Sequence, residues 1–407
     1  MDFEYSEKSQ EIQKRLKAFM AQHVEPRERE YHDEVEKGNY PVPFIEDLKA
    51  KAREQGLWNL FLPSLHDDEP GTRLTNLEYA PCAEIMGRVL WASEVFNCSA
   101  PDTGNMELLH IAGTPQQRKQ WLEPLMRGEI RSVFSMTEPD VGSSDATNLQ
   151  TSARREGNEY VINGRKWYAS GSHDPRSKFF VIVCVTDPEN PVKHKRQSHI
   201  IVPRGTPGLT LVRNPKVLGH HAPQGHSELR LENVRVPVEN LLGEEGGGFA
   251  LSQARLGPGR IHHCMRSIGQ AERALELMVQ RAAERKTFGR FLYQHGAVAE
   301  WIALSRMEID QARLLTLRAA WAMDKFGNKA ARRDISLIKV AVARMHTAVC
   351  DRAMQTWGSR GLTDDVPLFE LWERGRMLQI IDGPDEVHLQ AIARAEVGAL
   401  APAKSSP

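Results

Sequence analysis

The hydrophobic periodicity of this chain changes twice, and that change limits its fold more than any other feature. From about residue 6 to 128, apolar residues recur every three or four positions in SQEIQKRLKAFMAQHV and PFIEDLKAKAREQGL, as in amphipathic helices. TPQQRKQWLEPLMRG adds a start signal, with Thr114 as N-cap and Pro115 in the first helical position. From 131 to about 240 the pattern is strand-like. EYVINGRKWYAS, KFFVIVCV, SHIIVP, GLTLV and SELRLENVRVP follow at short intervals, as in a small barrel or sandwich. Asn163-Gly164 reads as a turn within the first of these. After GEEGGGF, helical periodicity returns over 249–285, 297–325 and 334–358. The expected organisation is a helical domain at 1–130, a β domain at 131–240, a helical domain at 241–400 and a tail at 401–407.

A chain of 407 residues exceeds what one core usually holds, so several units agree with its length. Basic and acidic residues balance at 53 each, so no net field favours nucleic acid or an anionic membrane. The five cysteines are scattered and form no CxxC, which points to reduced core thiols rather than a disulfide framework or zinc knuckle. The apolar run FFVIVCV is too short to cross a bilayer, and the polar start MDFEYSEKSQ is not a signal peptide. A cytoplasmic enzyme is expected.

Four stretches carry polar groups with chemical potential. VFSMTEPDVGSSDATN, residues 133–148, runs from a strand into a Gly-Ser-Ser loop: either an anion loop or a polar connection. In NGRKWYASGS, adjacent Trp167 and Tyr168 should face opposite sides of a strand, with Ser170 on the side of Tyr168. RKTFGR, residues 285–290, ends a long helix, where Arg285 and Lys286 suit the macrodipole. ARLGPGRIHHCMR groups Arg255, Arg260, His262, His263 and Arg266 around a Gly-Pro-Gly break. A helix restarting there would make an anion site; a solvated basic patch is the plainer reading. His262 and His263 point apart on a helix, no HExxH occurs, and no metal site is expected. GxGxxG, Walker and GxSxG signatures are absent as well.

In order, MTEPDVGSSD, INGRKWYASG, ERKTFGR, MQTWGSRG and IIDGPDEV resemble the motifs of the acyl-CoA dehydrogenase family over most of the chain. The resemblance implies an α+β, mainly α fold: an N-terminal helical domain, a middle β-barrel and a C-terminal four-helix bundle. It also implies FAD. By position, Phe134, Met136 and Thr137 should contact the flavin, and Ser143 the pyrophosphate or CoA. Tyr168 and Ser170 should lie at the flavin edge and near N5; Arg285, Phe288, Gln355 and Ser359 should reach a partner subunit's FAD. Pro384 falls with the cofactor set, and Arg255, Arg260, His263 and Gly383 with the substrate set. A homo-oligomer, dimer or tetramer, follows.

Asp382 stands where the family usually has a catalytic Glu, Gly296 where many relatives have Gln, and Ser359 where they have Gly. DGPDEVH with LGPGRIHHCMR resembles a branch some of whose members are fused behind a kinase-like domain. The implied reaction is α,β-dehydrogenation of an acyl-CoA, with Asp382 taking the α-proton and flavin N5 the hydride. An electron-transfer flavoprotein would reoxidise the flavin. The apolar LQII ahead of Asp382 should desolvate the base. In that branch, 4-hydroxy- or 4-phosphoacyl-CoA is the implied substrate. Flavin oxidases are the nearest rival, but nitroalkane oxidases carry an Arg seven residues after their Asp, where this chain has Leu389. A hydratase-like or isomerising enzyme and a non-catalytic scaffold are the remaining alternatives.

Overall fold

The structure is a computed structural model that describes residues 4–400. In chain order the helices are α1 (Glu7–Phe19), α2 (Glu28–Glu36), α3 (Phe44–Glu54), α4 (Asn76–Gly87), α5 (Ala92–Val95), α6 (Asp102–Ala112), α7 (Pro115–Gln117) and α8 (Glu123–Met126). Strands β1 (Arg131–Ser135), β2 (Ser152–Glu156), β3 (Glu159–Ser170), β4 (Ser177–Val185), β5 (Gln197–Pro203), β6 (Leu209–Arg213), β7 (His226–Pro237) and β8 (Leu241–Leu242) follow. Helix α9 (Gly248–Glu284) leads to a hairpin of β9 (Lys286–Thr287) and β10 (Arg290–Phe291). The chain then closes with α10 (Gly296–Ala330), α11 (Arg332–Trp357), α12 (Leu368–Leu378) and α13 (Asp385–Leu400).

Two compact units emerge. One combines Met1–Glu25, Leu74–Ser93 and Arg260–Pro407, over their described residues; the other holds Pro26–Arg73 and Glu94–Gly259. Segments distant in sequence therefore share a core.

In the first unit, α4 begins with a capping box between Thr75 and Glu78. It crosses α9 at backbone distance. A Cβ on Gly87 would lie 2.2 Å from the Arg266 carbonyl oxygen, and one on Gly269 would lie 1.9 Å from that of Glu84. Only glycine permits this approach. Arg313 of α10 ties the crossing by bonding Glu84 of α4 and Glu272 of α9. Helix α11 packs on α10, α12 and α13.

In the second unit the strands pair in the order β6-β7-β3-β2-β4-β5-β8, with β1 parallel to β4. One core draws Val133, Ala153, Ile162, Ile182, Ile200, Leu229 and Val234 from six strands, with Leu209 of β6 and Leu241 of β8 packed against it. A flat sheet could not gather all its strands on one cluster, so the sheet curls around its core like a barrel. Among the described residues, no ladder joins edge strands β6 and β8.

Three local expectations fail. Asn163-Gly164 is not a turn: β3 runs through it, and the ladder with β7 shifts register between Ile162 and Gly164. A Cβ on Gly164 would meet Thr151 Oγ1 at 2.5 Å, so this glycine admits the neighbouring strand rather than reversing the chain. Helix α9 does not restart at Gly257-Pro258-Gly259; it passes through Pro258 unbroken. Trp167 and Tyr168 do not face apart. Tyr168 is left-handed at φ 52°, which breaks the strand alternation and brings the two rings to 4.7 Å.

Candidate active site

Asp382 lies in the connection from α12 to α13, in the first unit. Asp382 and Gly383 are both left-handed, with φ 55° and 98°. That conformation costs an ordinary residue about 1–2 kcal/mol, and Asp is among the few that tolerate it. Tertiary bonds hold it in place. The Asp382 carbonyl accepts from Arg260 Nε at 2.8 Å and from His388 Nε2 at 3.3 Å. The Gly383 carbonyl accepts from Lys339 Nζ at 3.2 Å, and the same ammonium donates to the Leu378 carbonyl at the end of α12. Arg344 grips Asp385 at 2.8 Å, where α13 begins.

The electrostatics of this seat follow from burial. Desolvation holds Arg260 and Lys339 below their ordinary values, against the opposing pull of Asp382. Burial first, then Arg260 and Lys339, push His388 down to about 4. His388 is therefore neutral at pH 7. A carbonyl only accepts, so its proton sits on Nε2, and Nδ1 accepts from Ser336 Oγ at 3.3 Å.

The Asp382 carboxylate meets His263: Nε2 to Oδ2 is 3.4 Å, with both side chains 25% exposed. Arg266 stands 3.3 Å from His263 Nδ1. Arginine only donates, so Nδ1 accepts and the Nε2–H faces Asp382. His263, expected with the substrate set, is thus a direct neighbour of the proposed base.

Two expectations about this region are overturned. The isoleucines before Asp382 do not desolvate it from within the chain. Ile380 is 57% and Ile381 37% exposed, past the end of α12 at Leu378. Nor do residues 255–266 form one anion cluster. With α9 continuous, Arg255 and Arg260 project about 140° apart. His262 is buried against Tyr79, ring centroids 5.0 Å apart, and burial holds it far below its usual value, so it adds no charge.

In the second unit, the end of β1 meets the irregular part of β3. Trp167 N–H donates to the Thr137 carbonyl at 3.0 Å, and buried Lys166 donates to the Met136 carbonyl and Glu138, each at 2.8 Å. This joins Phe134, Met136, Thr137, Tyr168 and Ser170 in one region. Tyr168 is 48% exposed. Ser170 Oγ lies 2.8 Å from His226 Nδ1, a partner no motif had signalled. Ser143 folds back on its own loop, its hydroxyl accepting from Glu138 N–H at 2.9 Å. An exposed aromatic ring beside hydroxyls, with Ser135 Oγ and Trp167 Nε1 buried and unsatisfied nearby, suits a flat heteroaromatic group.

Arg255 is buried in the same unit, its guanidinium 3.9 Å above the Phe134 ring. A Cβ on Gly104 of α6 would lie 2.8 Å from Arg255 Nε. Nearby Glu107 is pushed up to about 8 by burial, which Arg255 only partly offsets, so its carboxyl is mostly protonated at pH 7.

Arg285, Phe288, Gln355 and Ser359 are all exposed, Phe288 to 97% and on a left-handed backbone at φ 50°. Pro384 is half-buried beside Gly383.

In chain order helical segments precede and follow a curled sheet; the first unit fixes a carboxylate and the second offers a seat for a flat ring, features that suit a flavin-dependent oxidoreductase. The chain belongs to the acyl-CoA dehydrogenase family. Family models match its N-terminal domain at 6–129, its middle domain at 133–234 and its C-terminal domain at 246–397. A probable acyl-CoA dehydrogenase FadE2 from Mycobacterium tuberculosis is 53% identical, covering 98% of this chain and 97% of that protein. Acyl-CoA dehydrogenase family member 11 from Gallus gallus is 49% identical over 97% of this chain, which spans 51% of that longer protein. A putative acyl-CoA dehydrogenase structure from Mycobacterium abscessus is 46% identical, with a TM-score of 0.94 over 98% of this chain and 100% of that one. The protein is an acyl-CoA dehydrogenase with FAD as its cofactor. Among the described residues, no helix is long and apolar enough to cross a membrane.

Proposed function

We propose that this enzyme converts an acyl-CoA thioester to the trans-2-enoyl-CoA with Asp382 as the α-proton acceptor. The observation that carries this reading is the seat of Asp382. Its carbonyl and that of Gly383 are tied to Arg260, His388 and Lys339, while its carboxylate remains part-exposed beside His263. A backbone locked through its carbonyls keeps a short side chain in one place. His263 Nε2–H faces Oδ2 and orients the carboxylate that takes the proton. Positioning of this kind lowers a barrier by removing misaligned arrangements before the reaction.

FAD supplies the hydride acceptor when bound. Phe134, Met136, Thr137, Tyr168 and Ser170 would hold the flavin ring, with Ser143 and Pro384 toward the rest of the cofactor. Arg285, Phe288, Gln355 and Ser359 would reach the cofactor of a second copy; their shared exposure supports a homo-oligomer, dimer or tetramer. An electron-transfer flavoprotein is the proposed acceptor of the electrons.

For the acyl chain, buried Arg255 beside a neutral Glu107 supports a polar substituent over a plain alkyl tail. Hydroxylated or phosphorylated acyl-CoA at C4 is the proposed substrate class, with Arg260 and Gly383 toward the thioester. Turnover of 4-phospho-, 4-hydroxy- and unsubstituted acyl-CoA tests this; equal kcat/KM for all three would remove it.

The base is tested separately. Under nitrogen, Asp382→Asn keeps FAD bound, but substrate no longer bleaches the flavin. Bleaching at the wild-type rate would sink the assignment.

A further inference from the structure

We infer that His66, Glu69 and His110 form a binding site for one divalent transition-metal ion, of which Zn²⁺ fits best. All three residues belong to the second unit. Their donor atoms lie within 4.8 Å of one another. His110 stands in the last turn of α6, buried, and its Nε2 is 3.1 Å from Glu69 Oε2. His66 and Glu69 belong to the loop before α4. The His66 backbone N–H donates to Glu69 Oε2 at 2.7 Å, which turns the loop so that both side chains face the helix end. The two imidazoles stack at 5.1 Å with planes 26° apart.

The donor set selects the ion. Two imidazoles and one carboxylate match Zn²⁺ and its neighbours in the first transition row, whereas Mg²⁺ and Ca²⁺ prefer oxygen alone. Bonds of about 2.0–2.1 Å place tetrahedral ligands about 3.3 Å apart, so the site must contract slightly from its ion-free spacing. His66 can supply that movement, since it is exposed on a loop while His110 is buried in a helix. Arg118 fixes the helix end by donating to the carbonyls of His110 at 2.7 Å and Gly113 at 3.1 Å. The exposed side at His66 leaves room for water as the fourth ligand.

The plainer reading is that Glu69 closes its own loop and accepts a hydrogen bond from His110 Nε2. Metal titration separates the two. A carboxylate only accepts, so without metal His110 Nε2 carries a proton. Zn²⁺ takes the Nε2 lone pair, so the proton there must move to Nδ1 or to solvent, and the contact to Glu69 becomes a shared ligation. The ion would staple residues 66–69 to the C-terminal turn of α6, the helix whose Gly104 faces Arg255.

The test uses FAD-loaded full-length protein stripped with chelator and titrated with Zn²⁺ by calorimetry at pH 7.5, beside His66→Ala and Glu69→Gln. His66 is exposed, so its loss leaves the fold intact, and an unchanged flavin spectrum verifies this. One ion per chain is expected, weakened on the order of tenfold or more in both variants. Added Zn²⁺ should also raise the wild-type Tm but not that of His66→Ala. Equal Zn²⁺ affinity in wild type and both variants, or no wild-type binding in the millimolar range, would overturn the site.

Discussion

The residue whose role was easiest to expect, Asp382, owes its geometry to residues that no motif indicates. Its place in IIDGPDEV marks it as the candidate base, but nothing local shows that its backbone is left-handed or that side chains from α9, α11 and α13 hold its loop. Lys339 and His388 read as ordinary positions in helical patterns. Their meaning depends on α11 and α13 meeting at the turn, which is a tertiary fact. His263 was legible only as part of a basic cluster, and the real cluster is smaller and more specific. From its contact with Asp382, His263→Ala should lower kcat about tenfold while changing KM less than twofold, because it removes orientation rather than substrate contact. Steady-state kinetics with an artificial acceptor reads this directly. A KM rise without loss of kcat would move His263 back to the substrate set.

At the scale of elements, the helix–sheet–helix order was plain because each class has its own period. The failures sit where one residue type has two uses. Asn-Gly forms turns, yet Gly164 serves close approach to Thr151. Gly-Pro-Gly breaks helices, yet α9 continues through it. Buried ionic pairing was also illegible, since Lys166 in NGRKWYAS alternates like any solvent-facing strand residue. It is fully buried against Glu138, which also accepts from the Gln150 and Thr151 N–H groups at 2.7 and 2.9 Å. Burial alone would raise the Glu138 value; Lys166 and those backbone donors outweigh it and hold it below normal. Lys166→Met strands that charge and should cost about 3–5 kcal/mol in urea unfolding, with early loss of flavin. Lys166→Met with Glu138→Gln should recover part of it. If the single variant unfolds like wild type, the pair does not support the junction of β1 and β3.

For the whole molecule, a 97% exposed Phe288 beside Arg285 supports assembly through this surface. Phe288→Glu should shift the protein toward monomer in analytical ultracentrifugation and weaken FAD retention together; loss of neither would detach the surface from the cofactor.

Acid sensitivity is a second property of the whole molecule, arising from histidines buried as neutral rings. Burial, chiefly, lowers His199 and His346 to about 3 and His388 to about 4. In the unfolded chain each titrates near its ordinary value, about 6.5. Above that value neither state binds the extra proton, so the native state keeps its full stability. As pH falls from about 6.5 toward 4, the unfolded chain takes up protons that the folded rings refuse, and stability declines. At pH 5 each ring contributes a loss of roughly 1–2 kcal/mol. The urea midpoint should therefore drop steeply between pH 7 and 5. His346 sits fully buried in α11, its ring against Gly375 of α12, so His346→Leu tests the origin: it should flatten that slope by about one proton while leaving dehydrogenase activity at pH 7 in place. An unchanged slope in that variant would assign the acid sensitivity to other groups.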